Sequence, residues 1–304
     1  MRPPRRERAR TLLPCDHETR LRHERLKGMT IRSRHAIKQG SSVNLSKIDA
    51  DYSGHHDKDW TVRKTSKVIA RLSELQYLLY ADKDRSVLIV LQGPDAGGKD
   101  GLIKHLFEGV NPQGVRVASF AEPSPQEAGH DFLWRVHQRA PAKGEIAVFN
   151  RSHYEAVLVE RVHKLVPRDV WEARYAMINS FEELLAQNGT LTLKFYLHIS
   201  PDEQLERFRQ RLEDKTRQWK IDEADYEDRK LWSRFQEANE EMLERTNTTA
   251  APWFVIPANH KWYRNYAVSK ILRRAMQTLN LHVPATEVDL DDIRRKYHAA
   301  ERRA

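Results

Sequence analysis

The 304-residue chain has one cysteine, Cys15, and no long apolar segment. A single cysteine excludes an intrachain disulfide and a cluster of thiolate metal ligands, and it fits a reducing compartment such as the cytoplasm. The longest apolar runs, such as residues 87–91, are far shorter than the roughly 18 residues of a membrane span, so no transmembrane protein is expected. Hydrophobic residues still make up 39% of the chain, enough to bury a core, which excludes global disorder.

Positive charge is concentrated at the N-terminus. The chain has 52 Lys and Arg against 43 Asp and Glu, a formal net charge of +9. Residues 1–40 hold 12 basic and 4 acidic residues, which leaves 40 against 39 over residues 41–304. We therefore expect residues 1–44 to form a basic, disordered tail without the apolar segment of a secretory signal. Three interpretations stay open: an arm that binds a polyanion, a disordered leader, and an over-extended reading frame in which Met29 is the true start.

Hydrophobic periodicity predicts strands that alternate with helices. Residues 86–92 are typical of a strand buried on both faces, and further strands are predicted at residues 115–119, 145–150, 191–199 and 253–257. Helices are predicted at residues 66–79, 127–139, 168–187, 201–217, 223–246 and 262–278. This alternation predicts a three-layer α/β fold, in which a parallel sheet of about five strands has helices on both faces. Ligands of such folds bind at the carboxyl ends of the strands.

The first strand leads directly into a glycine-rich loop. Gly93, Gly98 and Lys99 match the phosphate-loop pattern G-x-x-x-x-G-K, between a strand and a helix as the pattern requires. Glycines let successive backbone N–H groups face one anion, the helix N-terminus favours negative charge, and the lysine adds a positive charge. The predicted phosphate-binding residues of the loop are Gly93, Ala96, Gly97, Gly98, Lys99, Asp100 and Gly101.

Two acidic residues distinguish this loop from the usual pattern. Asp100 stands where phosphate-loop NTPases carry the Ser or Thr that binds Mg²⁺, and Asp95 lies inside the loop. A carboxylate among anion-binding groups is unfavourable unless a cation compensates it, so we interpret Asp95 as a Mg²⁺ ligand, directly or through water. Asp100 is equally well explained as an acidic residue in the first turn of a helix.

Polar residues follow the third predicted strand and a later helix. Asn150 stands where phosphate-loop enzymes usually have a Mg²⁺-binding Asp, and Arg151 can bind phosphate through two hydrogen bonds. Further along, Arg207, Arg211 and Lys215 are spaced by four residues and share one predicted helix face. Such a row of cations suits a lid that closes over phosphates, although a solvated helix face paired with neighbouring acidic residues stays the alternative.

Four ordered segments together resemble the polyphosphate kinase 2 family. They are residues 93–101, 149–155, 211–220 and 251–262, and the resemblance extends over about residues 45–282. It implies a thymidylate-kinase-like phosphate-loop domain with a helical lid at about residues 207–231, followed by a C-terminal extension at residues 283–304. Pro94 departs from the Met or Leu that the family often has, and we expect it to stiffen the loop entry without displacing the glycines.

The resemblance implies phosphoryl transfer between inorganic polyphosphate and a nucleotide, with Mg²⁺, in a homodimer or homotetramer. Residues 149–155 and 157–163 resemble the subgroup that phosphorylates both AMP and ADP, so that AMP is carried to ATP. In this scheme Arg207, Arg211, Lys215 and Lys220 guide the polyphosphate chain, and Tyr154 and Glu155 position the nucleotide. The predicted catalytic residues are Asp95, Lys99, Asn150, Arg151, Arg207 and Arg211.

Two other functions stay open at this point. An ATP-dependent nucleoside monophosphate kinase uses the same fold, but Asp100 in place of the Mg²⁺-binding hydroxyl argues against it. A non-catalytic polyanion-binding protein built on the basic tail is the second alternative. The nearly neutral body and the absence of a nucleic-acid recognition motif argue against it, and neither a nucleic acid nor a membrane is an expected partner.

Overall fold

A computed structural model describes residues 33–55 and 57–303. The predictions about residues 1–32, including those for Cys15, Met29 and a basic arm, lie outside the described residues. Within the described part, no helix combines the length and the apolar character that crossing a membrane requires.

Five parallel strands form the central sheet. They are β1 (Ser86–Gln92), β2 (Val115–Ser119), β3 (Ile146–Asn150), β4 (Thr190–His198) and β5 (Trp253–Pro257), in the order β2-β3-β1-β4-β5. All seven residues of β1 are buried, because this strand pairs with β3 on one side and with β4 on the other. The predicted α/β fold with a five-stranded parallel sheet is confirmed, and each strand agrees with its prediction to within one residue at either end.

Helices cover both faces of the sheet. The α-helices of the described residues are α1 (Lys58–Asp82), α2 (Lys99–Leu106), α3 (Pro125–Ala128), α4 (Trp134–His137), α5 (Val159–Val162), α6 (Arg168–Gln187), α7 (Pro201–Glu213), α8 (Glu223–Lys230), α9 (Trp232–Arg245), α10 (Lys261–Gln277) and α11 (Leu290–Glu301). Buried residues of α1, α2 and α10 pack on one face, and those of α5, α6 and α9 pack on the other. The β1 side chains alternate between the two cores, with Val87 and Ile89 in the first and Leu88 and Val90 in the second.

Three predicted helices are shorter or divided in the structure. The helix predicted at residues 127–139 is replaced by α3 and α4, and the one at residues 223–246 is divided into α8 and α9 at Leu231. The helix predicted at residues 201–217 ends at Glu213. Asp214 there adopts an extended backbone, and its carboxylate accepts hydrogen bonds from the Thr216 backbone N–H at 3.0 Å and hydroxyl at 2.6 Å. Such a local turn competes with continuation of the helix, and periodicity alone does not reveal it.

Residues 33–44 are part of the folded body. Ala36 forms an antiparallel bridge with Phe254 in β5, the N–H of Ile37 donates to the carbonyl of Trp253 at 3.1 Å, and Val43 is buried. The expected tail boundary at residue 44 is therefore wrong for these residues, because the edge of β5 offers backbone groups with which a preceding segment can pair. In the C-terminal extension, α11 has no buried residue.

Candidate active site

The phosphate loop connects β1 to α2 at the carboxyl edge of the sheet. Gly93 and Gly98 have φ angles of 144° and 95°, which residues with a side chain rarely adopt. A Cβ atom at Gly98 would lie 2.1 Å from Nη1 of Arg264, so this glycine also permits a close contact. Ala96 adopts a φ of 59°, a left-handed conformation that tight functional loops tolerate at some cost.

Lys99 is folded back onto the loop. Its Nζ donates to the carbonyl of Gly93 at 2.8 Å and to the carbonyl of Pro94 at 3.2 Å. Burial lowers the pKa of Lys99, and the negative charge of Asp95 opposes that effect. The ammonium group is thus held at the loop entry by two neutral backbone carbonyls.

Asp95 and Arg151 form an ion pair at the centre of the site. The Oδ1 atom of Asp95 lies 2.5 Å from Nη2 of Arg151. Burial alone would raise the pKa of Asp95, but the charges of Lys99 and Arg151 outweigh burial and leave it lowered, so the carboxylate is ionised at neutral pH. Arg151 itself has a φ of 58°, a strained conformation that turns the residue after β3 toward the loop.

Asn150 and the predicted lid both contact Asp100. Nδ2 of Asn150 donates to Oδ1 of Asp100 at 2.8 Å, and Nζ of Lys220 donates to Oδ2 at 2.6 Å. Burial raises the pKa of Asp100, but these two hydrogen bonds and the Lys220 charge leave it lowered. In this arrangement Asp100 links the start of α2, the end of β3 and the lid.

Arg207 holds the loop backbone in place. Its Nη1 donates to the carbonyl of Ala96 at 2.8 Å, and its Nη2 donates to the carbonyl of Ala258 at 2.5 Å. Its Nε lies 2.6 Å from Oε1 of Glu203, and the residue is only 5% exposed. The guanidinium of Arg207, a predicted lid cation, is thus engaged by protein groups, which include the neighbouring acidic residue Glu203.

The other lid cations differ in position. Arg211 lies on α7 next to Asp225 of α8, with Nη1 and Oδ2 2.8 Å apart. Lys215 lies in the exposed turn after α7 and is not brought together with the loop, because the helix that was expected to carry it ends at Glu213.

Tyr154 and Glu155 occupy different environments. Tyr154 is fully buried, and its hydroxyl donates to Oε1 of Glu182 at 2.7 Å. The expectation that Tyr154 contacts a nucleotide is therefore wrong, because no part of its side chain is accessible. Glu155 lines a pocket beside the loop and accepts a hydrogen bond from Nε2 of Gln92 at 3.1 Å, while burial raises its pKa.

A cavity of about 660 Å³ lies over the loop. We call this cavity the cation groove. Its basic lining residues are Lys99, Arg151, Arg207, Arg211, Arg217, Lys220, Lys261 and Arg264, and its acidic ones are Asp95, Asp100, Asp222 and Asp225. The loop residues from Ala96 to Gly101 line it as well, as predicted for a phosphate site. Eight basic residues against four acidic ones favour a ligand with several negative charges.

A second, narrower cavity adjoins the groove. We call this second cavity the aromatic pocket. It is lined by the rings of Tyr196, Trp232 and Phe235, by the side-chain amides of Gln204, Gln236 and Asn239, and by Gly93 and Pro94 of the loop. Asp95 and Arg151 line both cavities. The ion pair therefore stands where a ligand of the pocket and a ligand of the groove would meet.

Sequence reasoning missed Arg264, Lys261 and the aromatic residues Tyr196, Trp232 and Phe235 of the aromatic pocket. Lys261 belongs to one of the four segments that carry the family resemblance, and Arg264 lies three residues beyond it, one helical turn along α10. The spacing of one helical turn from Lys261 was the signal in the sequence that could have identified Arg264. Nothing local to the sequence indicates that Trp232 and Phe235 lie beside the loop, because both are on a helix far along the chain.

The residues present fit a divalent cation held mainly by its substrate. Among residues 33–55 and 57–303 there is no group of three or more His, Cys, Asp or Glu side chains that could hold a metal ion. Mg²⁺ is usually bound by one or two carboxylates together with phosphate oxygens and water. Asp95 suits this role, since its carboxylate is ionised and lines both cavities.

Comparison with known proteins agrees with this geometry. The family model described as polyphosphate kinase 2 (PPK2) matches residues 55–284, which include the loop, the cation groove and the predicted lid. The chain belongs to the polyphosphate kinase 2 family. The resemblance seen in the sequence is therefore confirmed, while α11 lies beyond the part that matches the family.

Several members of the polyphosphate kinase 2 family are similar over most of their length. An AMP/ADP-polyphosphate phosphotransferase of Meiothermus ruber is 54% identical over 223 residues, which cover 73% of this chain and 84% of the relative. An ADP-polyphosphate phosphotransferase of Rhodopseudomonas palustris is 39% identical over 266 residues, which cover 82% and 91%. The crystal structure of polyphosphate kinase 2 from Arthrobacter aurescens is 35% identical with a TM-score of 0.82, covering 87% of this chain and 99% of that one.

Proposed function

We propose that this protein transfers phosphoryl groups between inorganic polyphosphate and the nucleotides AMP and ADP, with Mg²⁺. The observation that carries the proposal is the junction of the two cavities at Asp95 and Arg151. A phosphotransferase must bring a donor phosphate and an acceptor phosphate together at one point, and each of these cavities suits one of the two substrates.

The cation groove suits the polyphosphate chain. Its eight basic residues lie along an open cavity, as the neutralisation of a polyanion requires. The loop N–H groups and the N-terminus of α2 add partial positive charge at its floor.

The aromatic pocket suits the nucleoside of the acceptor. Trp232 and Phe235 offer rings against which a base can stack, and Gln204 and Asn239 offer amide groups that can hydrogen-bond its edge. The names of the Meiothermus ruber and Rhodopseudomonas palustris relatives support AMP and ADP as acceptors. These substrates support a cytoplasmic location, and the family resemblance supports a homodimer or homotetramer.

In the forward reaction an anionic oxygen of the nucleotide's terminal phosphate attacks the terminal phosphorus of polyphosphate. The new P–O bond forms as the bond to the next phosphate of the chain breaks, and the shortened chain keeps the bonding electrons. The attacking oxygen is already anionic, so no general base is required. Lys99 and Arg151 stabilise charge on the transferred group, and Arg207 keeps the loop backbone in position. Mg²⁺ bound at Asp95 supplies further neutralisation of phosphate charge.

The test uses purified protein with Mg²⁺, long-chain polyphosphate and either AMP or ADP, with nucleotides followed by chromatography. We expect ADP from AMP and ATP from ADP, both lost in Lys99→Ala. Activity with ADP alone would contradict the broad acceptor range but keep the polyphosphate donor. Turnover of AMP only when ATP is the donor would favour the nucleoside monophosphate kinase, and binding without any turnover would favour the polyanion-binding protein.

A further inference from the structure

Arg264 is a buried cation whose hydrogen-bond acceptors are neutral groups. It belongs to the first turns of α10 and is only 3% exposed. Its Nη1 donates to the carbonyl of Gly98 at 3.0 Å, and its Nη2 and Nε donate to Oδ1 of Asn265 at 2.7 and 3.1 Å. Within the described residues, no Asp or Glu forms an ion pair with Arg264.

Two other arginines of the site have a carboxylate. The buried Arg207 is paired with Glu203 at 2.6 Å, and Arg151, whose side chain is 41% exposed, is paired with Asp95 at 2.5 Å. Removing a guanidinium from water is costly unless an anion compensates it. Among these three arginines, Arg264 is thus the one whose cost of burial a bound anion would reduce most.

The surroundings of Arg264 are also positive. Burial and the charge of Arg207 lower the pKa of Arg264 to about 10. Burial lowers the pKa of Lys261, and the charges of Arg207, Arg217 and Arg264 lower it further, although Glu203 opposes them. The carbonyl that Arg264 contacts belongs to the residue at the N-terminus of α2, where the helix dipole favours negative charge.

Arg264 lies at the far end of the loop from the Asp95–Arg151 junction. It lines the cation groove but does not line the aromatic pocket. Gly98, which it contacts, is at the end of the loop, whereas Asp95 is near its start. A ligand bound at Arg264 therefore occupies the groove on the side away from the nucleotide.

We propose that a phosphate group of the polyphosphate chain is the missing counter-ion of Arg264, and that this end of the groove binds the chain beyond the phosphoryl group being transferred. This inference rests on the proposed function for the identity of the chain. The anion site itself is inferred from the burial and contacts of Arg264 alone. A binding experiment therefore tests the anion site, and a kinetic experiment tests its role in the transfer reaction.

The first experiment measures thermal unfolding of the full chain in a phosphate-free buffer, with and without tripolyphosphate. We expect tripolyphosphate to raise the Tm of the unmodified protein by roughly 3 °C or more at saturation. In Arg264→Gln the Tm without ligand should be equal or higher, because an uncompensated buried charge is gone. The Gly98 carbonyl keeps a partner, since it also accepts from the N–H of Leu102 at 3.0 Å. The rise with tripolyphosphate should fall to less than half.

Two further variants keep the result interpretable. Arg264→Lys keeps the charge without the planar guanidinium and should retain part of the rise. Arg273→Gln removes a positive charge from the same helix outside the groove and should leave the rise unchanged. A rise in Arg264→Gln as large as in the unmodified protein would overturn the proposal, and so would an equal loss in Arg273→Gln.

The second experiment compares KM values in the transfer reaction. For Arg264→Gln we expect KM for long-chain polyphosphate to rise about tenfold or more, with KM for ADP unchanged. A parallel rise in both KM values would contradict a role on the donor side only. If the unmodified protein does not use polyphosphate at all, the proposed function fails, while the thermal measurement still decides whether Arg264 binds an anion.

Discussion

The carboxylate of Glu182 accepts a hydrogen bond from Nζ of Lys194 at 2.6 Å and another from the Tyr154 hydroxyl at 2.7 Å. All three side chains are fully buried, and Nε2 of His153 lies 3.3 Å from the same carboxylate. Glu182 on α6 thereby fixes His153 and Tyr154, which lie two and three positions after Arg151. Since Arg151 has a strained backbone conformation, contacts of its neighbours are what hold it in place.

Replacing Glu182 by Gln tests this network. The change leaves the Lys194 ammonium buried without its carboxylate, which typically costs about 3–5 kcal/mol of unfolding free energy. Urea unfolding followed by tryptophan fluorescence measures the loss. The double variant Glu182→Gln/Lys194→Met removes both charges and should recover much of it. A double variant as unstable as the single one would show that the ion pair is not the reason for the loss.

Stability should fall between pH 7 and pH 5 in part because of His35. Burial, and then the charges of Arg34 and Lys270, lower the pKa of His35 from 6.5 to about 4. The unfolded chain therefore binds a proton below pH 6.5 that the folded protein does not bind until about pH 4. The stability contributed by neutral His35 is thus present above pH 6.5 and is lost as the pH falls, by about 2 kcal/mol at pH 5.

The variant His35→Gln isolates this contribution. Glutamine can keep the hydrogen bond to the hydroxyl of Tyr263, which lies 2.9 Å from Nε2 of His35, but it does not titrate. Urea unfolding at pH 7 and pH 5 should show a smaller pH-dependent loss in the variant than in the unmodified protein. Equal losses would mean that other histidines account for the whole effect.

The loop and the positions of the strands were predictable because their signals are local. The apolar run of β1, the glycines after it and Lys99 are adjacent in the sequence, and they specify the strand, the turn and the helix start. The burial of Tyr154 was not predictable, because it depends on the φ angle of Arg151 and on Glu182, 28 residues further along. The contact of Arg264 with Gly98 joins residues 166 apart, and no sequence pattern reports such a distance.

Asp95 and Asp100 should differ in their effect on catalysis. Asp95→Asn removes the carboxylate that lies between the two cavities, so we expect kcat to fall by roughly 10² to 10³ and more Mg²⁺ to be needed for half-maximal rate. Asp100→Asn weakens the contact with Lys220, whose side chain is 32% exposed, and should lower kcat less than tenfold with the same Mg²⁺ dependence. Titration of both variants with Mg²⁺ at saturating substrates compares them. A large shift in the Asp100 variant would make that residue a metal ligand as well.

The aromatic pocket predicts which residues affect nucleotide binding. Trp232 lines the pocket, so Trp232→Ala should raise KM for AMP and ADP about tenfold or more, because one stacking surface for the base is lost, while KM for polyphosphate stays the same. Tyr154→Phe is the matched aromatic control. Tyr154 is buried away from the pocket, so loss of its hydrogen bond to Glu182 should act through Arg151 on kcat and leave both KM values unchanged. Initial rates with each substrate varied in turn give these constants. A higher nucleotide KM in the Tyr154 variant but not in the Trp232 variant would place the nucleoside outside the aromatic pocket.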